Sequence, residues 1–382
     1  MAMTSKKSSS KRSKTKSKWT NKIVKMKTNI LKFLQKGYDY FSHYLSIAFV
    51  ERLLFLPNYI WFSAAVLFIA EILVSILVIR NIRYTEIDWE AYMSEVEGVV
   101  NGTWDYSELK GATGPLVYPA GFVYVFMVLY YLTDLGKNIL CAQYIFGAIY
   151  LFNVILVFRI YHKTLKVPPY ALVFMCCTSY RIHSIFMLRL FNDPIAMVFL
   201  YIAINLFLND RWNSGCIFFS LAVSIKMNIL LFAPALLLLL LAKFGLLKTI
   251  KKLMICAFVQ LLLAFPFLMS NPVAYMTRAF DISRVFMYEW TVNWRFLPEH
   301  MFLNQRFHIS LLLLHICCLI AFFCFKYPRL LILGFIELSW NIYPSTVASS
   351  MCLHICHFVM LCALWRAPPP SCNHPKVYIK KE

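Results

Sequence analysis

Acidic residues are scarce in this sequence. Only 18 of its 382 residues are Asp or Glu, against 38 Lys and Arg, so the formal net charge is +20. Glycine is scarce as well, at 11 residues. With no ten-residue segments of alternating polarity, this argues against a transmembrane β-barrel. No short apolar core with a small-residue cleavage site follows the N-terminal charges, which argues against a cleavable signal peptide. No internal repeat is visible, which speaks against a repeat-built transporter. The longest polar segment contains no cysteine, so no extracytosolic disulfide framework is indicated.

Apolar residues are what the chain has in abundance: 60% of the total, with a mean hydropathy of +0.64. Successive runs approach or exceed the roughly 18–20 residues that cross a bilayer. Backbone groups in lipid must be satisfied internally, so helices are the expected spanning elements. The sequence predicts an all-α polytopic membrane protein with spans near 58–79, 138–158, 169–186, 194–208, 213–226, 229–242, 253–269, 308–325 and a last one within 330–365. Residues 1–56 are expected to form a basic cytosolic tail, with an amphipathic interfacial helix over Leu31 to Phe55. The Lys- and Ser-rich run from Ser5 to about Lys36 reads as a tail obeying the positive-inside rule and touching anionic lipid, not as a nucleic-acid site. Residues 57–366 form the membrane domain and 367–382 a polar C-terminal tail. The ending Lys380-Lys381-Glu382 resembles a dilysine retrieval signal, one position off the usual spacing.

Charge threads the topology. Arg159, Lys163 and Lys166 form one basic connection, Lys243, Lys248, Lys251 and Lys252 a second, Lys326 and Arg329 a third. All three fall on the cytosolic side if Tyr118 to Leu135 is an interfacial helix on the far side and not a span. Loops 80–137 and 270–307 then face the lumen. Cys141, Cys176, Cys177, Cys256, Cys317 and Cys318 lie within apolar spans. Cys352, His354, Cys356 and His357 resemble a metal cluster, but Cys and His are common packing residues, and packing is the favoured reading.

The few acids are not evenly spread. Seven of them, Glu86, Asp88, Glu90, Glu95, Glu97, Asp105 and Glu108, fall between Tyr84 and Pro119, which also holds the sequon Asn101-Gly102-Thr103. The same side carries Ser179 to Asp193, with Arg181, His183, Arg189, Asn192 and Asp193. It also carries Lys226-Met227-Asn228, and Ser270 to Phe307 with Trp290, Trp294 and Arg295. Each patch alone reads as interfacial anchoring. Together they offer carboxylates to activate a hydroxyl, Arg and Lys for phosphate, and flat aromatic faces for sugar. That set fits a glycosyltransferase using a lipid-phosphate sugar donor. A polytopic transporter lined by Lys226 and the acids is the competing class.

Long runs then carry a specific resemblance: Thr85 to Tyr92, Leu109 to Phe122, Ser179 to Asp193, Ser224 to Pro234, Trp290 to Pro298 and Glu337 to Ser350. In these the chain resembles the dolichyl-phosphate-mannose-dependent α-1,3-mannosyltransferases of the endoplasmic reticulum, the Not56-like family. The resemblance implies a GT-C fold with a large first luminal loop, and an active site facing the lumen of the endoplasmic reticulum. It implies metal-free, inverting transfer of mannose from dolichyl-phosphate-mannose to the five-mannose dolichol-pyrophosphate oligosaccharide.

The resemblance also assigns the catalytic base to Asp88, with Glu90 as runner-up. Candidate donor-phosphate ligands are Arg181, His183, Arg189, Lys226 and Arg295, and candidate sugar-stacking residues are Trp89, Tyr92, Tyr118, Trp290 and Trp294. One departure is visible. The family carries a further membrane segment, of the pattern Arg-Ser-Leu-His-Tyr-Gln-Phe-Tyr-x-Trp-Tyr, between the counterparts of Lys326-Tyr327-Pro328 and Leu330-Leu331. This chain runs straight from one to the other, as a shortened isoform would. A catalytically inactive variant is therefore a further alternative.

Overall fold

The computed structural model describes residues 25–29, 31–33, 35–38, 47–177, 180–280, 287–288, 291, 293–325 and 347–366. The architecture is helical, with one minimal hairpin. Its elements are α1 (Ile47–Phe55), α2 (Ile60–Asn81), α3 (Trp89–Val100), β1 (Lys110–Gly111), β2 (Gly114–Pro115), α4 (Ala120–Leu132) and α5 (Ile139–Thr164). There follow α6 (Tyr170–Cys177), α7 (Tyr180–His183) with a π-helical turn over Ser184–Leu188, α8 (Asp193–Phe207), α9 (Trp212–Ile225) and α10 (Ala233–Ser270). The last are α11 (Pro272–Ala279), α12 (Glu299–Phe302), α13 (Gln305–Phe325) and α14 (Val347–Arg366). Most of the N-terminal tail lies outside the described residues; within the expected interfacial helix, 31–33, 35–38 and α1 are helical, and 34 and 39–46 lie outside the described residues.

Among the described residues, three stretches are long and apolar enough to cross a membrane: Pro57–Asn81, Ile139–Thr164 and Met227–Ser270. Tyr170–Cys177 and Tyr180–Leu188 together make a fourth, bent one. α2 is apolar all round. Trp61, Phe62, Ile69, Leu73 and Leu77 are exposed along it, as lipid-facing residues are, while Ile60, Ala64 and Ile79 pack against Tyr150, Phe158 and Leu172 of α5 and α6.

The expected spans 229–242 and 253–269 lie on either side of a break at Gly245, whose φ of 71° is a left-handed value that favours glycine. The expected spans 194–208 and 213–226 form α8 and α9, of 15 and 14 residues, which pack against each other as a hairpin.

The helix expected over Tyr118 to Leu135 forms as α4, but it is a core element. Phe122, Val123 and Phe126 are wholly buried against α3, α9 and α10. The approach is closest at Gly121, where an added Cβ would stand 2.0 Å from Ser224 Oγ of α9.

The polar segment is therefore an ordered cap on one end of the bundle. α3 presents Trp89, Tyr92, Met93, Val96 and Val99 on one buried face, the i, i+3, i+4, i+7 spacing of an amphipathic helix. It ends in a Schellman motif. Gly102, at φ 98°, donates to Val99 O, and Thr103 donates to Gly98 O, each at 3.0 Å. The sequon residue Asn101 is thus held exposed at the helix C-cap. At the far end of the cap, Asn271 donates to Asp105 Oδ2 at 2.9 Å and caps α11 by accepting from Ala274 N. The Asn271 bond, with further bonds from Ser107, holds the Asp105 carboxyl below its ordinary range.

Candidate active site

Asp88 is the N-cap residue of α3, but its side chain makes no capping bond to that helix. An N-cap carboxylate normally accepts from the first-turn amides. Here it accepts a hydrogen bond from the Tyr92 hydroxyl at 3.3 Å, one turn along the same helix. The single Tyr92 proton is committed to Asp88, so in the Tyr92–Tyr118 hydroxyl pair at 3.4 Å it is Tyr118 that donates. The result is a directed relay, Tyr118 to Tyr92 to Asp88. Burial, then the neighbouring Tyr118 and the Asp88 carboxylate, push the Tyr92 phenol well above its ordinary value. It remains a neutral donor throughout the physiological range.

The position of Asp88 is fixed from two sides. Thr85 N–H donates to Leu188 O at 2.9 Å, tying the loop to the π-helical turn. Tyr84 donates to Glu86, whose other oxygen accepts from Glu90 N at 3.2 Å. Burial and the Glu86 carboxylate raise the Tyr84 phenol above its usual value, with smaller contributions from Glu90 and Asp88. Three carboxylates thus gather around Tyr84. Glu90 lies exposed on the solvent side of α3, whereas Asp88 is half-buried beside the aromatic relay.

Lys226 arrives from the C-terminal end of α9. Its Nζ meets Asp193 Oδ2, at the N-terminal end of α8, at 2.6 Å. Both side chains keep some exposure, 24% and 34%. The Asp193 carboxylate adds a smaller contribution to the raised Tyr92 phenol. Asp193 is a site residue that the sequence reading named only as part of a patch. Its lysine partner lies 33 residues away, and no local spacing reveals the pair. Next to it Asn192 is wholly buried, and neither side-chain polar atom has a hydrogen-bond partner among the described residues.

Other candidates are placed elsewhere. His183 is corrected: it is buried, and its Nε2 lies 2.8 Å from Glu71 Oε2 of α2, so it serves a network inside the membrane region and not a phosphate. Trp89 is corrected too. It is 0% exposed, donates Nε1–H to Gly136 O at 2.9 Å and packs on Phe126 and Phe146, leaving no face for a sugar. Tyr92, at 3% exposed, offers its hydroxyl and not its ring, which is surrounded by Tyr118, Phe122 and Phe126.

Arg295 is engaged within its own loop, donating to Tyr288 O at 3.0 Å and lying over the Tyr288 ring. Trp294 packs on His354 of α14 at 4.2 Å between ring centres. Arg181 and Arg189 are half-buried on α7 and after the π-helical turn. Trp290 lies outside the described residues. No group of three or more His, Cys, Asp or Glu side chains among the described residues could hold a metal ion.

The family model for the ALG3 protein matches residues 65–331, a stretch holding Asp88, the relay and the Lys226–Asp193 pair. The chain belongs to the ALG3 family. It is 47% identical over 414 residues to the Dol-P-Man:Man(5)GlcNAc(2)-PP-Dol alpha-1,3-mannosyltransferase of Homo sapiens, covering 88% of this chain and 94% of that protein. It is 55% identical over 279 residues to the Drosophila melanogaster protein l(2)not2, named as the corresponding alpha-1,3-mannosyltransferase, covering 73% of this chain and 58% of that one. A Dictyostelium discoideum relative, named as a probable enzyme of the same kind, is 40% identical over 406 residues. No solved structure matches. The human alignment is longer than the part of this ALG3-family chain it uses. As 88% of 382 residues is about 336, about 78 of the 414 aligned positions have no counterpart here.

Proposed function

We propose that this chain transfers mannose from dolichyl-phosphate-mannose, in α-1,3 linkage, to the five-mannose dolichol-pyrophosphate oligosaccharide. The single observation that carries this is the half-buried Asp88 carboxylate, which does not cap α3 and accepts from the Tyr118–Tyr92 relay. Asp88 accepts the proton of the acceptor's 3-hydroxyl while that oxygen forms its bond to the anomeric carbon. The bond from that carbon to the phosphate oxygen breaks with inversion, and dolichyl phosphate leaves as an anion. An anionic leaving group needs opposite charge more than a proton. Lys226, held by Asp193 until phosphate replaces the carboxylate, is the leading candidate; Arg189 and Arg181 are the further ones. Radiolabelled donor and five-mannose acceptor, supplied to membranes containing this chain, test the assignment.

Lys226→Met is expected to lower transfer by about 10²–10³, the cost of removing one electrostatic stabiliser. Asp193→Asn is expected to leave more activity and to tighten apparent donor binding, because Lys226 is freed. Steady-state kinetics on the two variants separate the roles. Equal losses in both would make the pair structural.

We place the site in the lumen of the endoplasmic reticulum, in a multi-pass membrane protein. Asn101, exposed on the same cap as Asp88, supplies a topological reporter. It is expected to carry an endoglycosidase-sensitive glycan in microsomes, lost in Asn101→Gln. A protease-accessible, glycan-free cap would put the site on the other face.

A second reading is favoured by the unmatched positions of the human alignment. A chain lacking the segment after Lys326-Tyr327-Pro328 is a shortened form without part of the lipid groove. Transfer by a full-length relative, with none by this chain in the same assay, would identify it as inactive.

A further inference from the structure

The end of the bundle opposite Asp88 holds a second built site. A cavity of about 410 Å³ lies between the α8–α9 turn and the broken region of α10, lined by Asp210, Trp212, Lys243 and Lys252. A neighbouring cavity of about 570 Å³ is lined by Arg159, Asn205 and Asn209. Arg211 lines both. The walls are strongly cationic. Asp210 is the one acid among the lining residues of either cavity, and Lys243 and the Trp212 indole N–H already engage it.

Most of the amines there are occupied. Lys163 donates to Asn209, Lys252 to Asn213, and Lys243 stands over the Trp212 ring at 4.8 Å. The two guanidiniums are different. Arg159 and Arg211 are both exposed, and neither side chain makes a hydrogen bond or ion pair with a described residue. Asn205 is 5% exposed and donates Nδ2–H to Leu156 O and Tyr201 O, but its enclosed Oδ1 accepts from no described residue.

Two guanidiniums without partners among the described residues suit an anion with paired oxygens. A phosphate monoester on a lipid headgroup supplies them. Beyond the break at Gly245, Leu246 and Leu247 are exposed at 67% and 78%, apolar surface directly continuous in chain with the basic wall. We propose that this groove binds the phosphate-bearing headgroup of an anionic lipid in the leaflet opposite Asp88. The acyl chains lie along the Leu246–Leu247 edge. The assignment stands apart from the transfer reaction.

The test uses the full chain purified in neutral detergent. Short-chain phosphatidylinositol 4-phosphate, phosphatidylcholine, soluble glycerophosphoinositol and inorganic phosphate are each titrated, with binding and unfolding midpoint as readouts. The phosphoinositide is expected to bind and raise the midpoint, and phosphatidylcholine to do neither. Arg159→Gln with Arg211→Gln should weaken the phosphoinositide at least tenfold. The lipid-free midpoint and the behaviour in phosphatidylcholine should not change. Arg159→Gln alone, at an exposed position, should weaken it about threefold, and the double Lys replacement should retain intermediate binding. Undiminished affinity in the double Gln variant overturns the site. Glycerophosphoinositol or phosphate binding as tightly as the lipid overturns the lipid assignment in favour of a soluble anion.

Discussion

Asp88→Asn is expected to reduce mannosyl transfer by about 10²–10⁴, the usual worth of a placed general base, with the chain still folded. The second half of that expectation comes from the geometry. The Asp88 side chain does not cap α3, so its replacement costs no capping bond. The Tyr92 hydroxyl can donate to an amide oxygen as it does to the carboxylate. The change therefore removes proton acceptance while keeping the side chain's shape and its bond from Tyr92. Transfer is measured in microsomes with labelled donor and acceptor, against a form shown to be active. Substantial residual activity would move the role to Glu90, which lies on the exposed side of the same helix turn. Glu90→Gln is expected to have the smaller effect of the two.

The largest expected loss of stability is at Glu71. Its Oε2 accepts from Tyr150 OH at 2.8 Å and meets His183 Nε2 at 2.8 Å. The Cys176 thiol is directed at the same carboxyl. One oxygen on α2 thus joins α5 to the bent pair α6–α7, with Glu71 4% and His183 8% exposed. Glu71→Ala leaves two buried donors without an acceptor and is expected to cost about 3 kcal/mol. Glu71→Gln keeps one acceptor oxygen and should cost about 1 kcal/mol. Unfolding midpoints in mild detergent check both. An Ala variant as stable as the parent would mean that the network contributes specificity at most.

These two residues also show what could be read from the chain alone. The polytopic helical class, the main spans and the polar cap follow from apolar run length and from the clustering of scarce acids, both one-dimensional signals. Glu71 had a local signal as well: it is the sole acid in the α2 span, and an ionisable group in a membrane helix usually has a partner. Its partner was not legible, because His183 lies 112 residues away and resembles an interfacial cation until α2 is packed beside it.

Trp89 failed for the opposite reason. Its spacing with Tyr92, Met93 and Val96 is a core stripe, and an aromatic flanking a catalytic candidate was read for its ring chemistry instead. The Tyr118–Tyr92 step of the relay joins residues 26 apart across α3 and the entry of α4, a juxtaposition set by tertiary packing.

The bond from Thr85 N–H to Leu188 O has a consequence for how the reaction is aligned. Asp88 stands three residues beyond a loop fastened to a helix pair that is itself apolar enough to span. Its height above the hydrocarbon is therefore inherited from that helix pair. The acceptor sugar is held at a height set by a different anchor, its own lipid. Helices respond to hydrophobic mismatch by tilting, whereas a lipid headgroup moves with the leaflet surface. With Asp88 as the proposed base, the two partners keep register only over a range of hydrocarbon thickness.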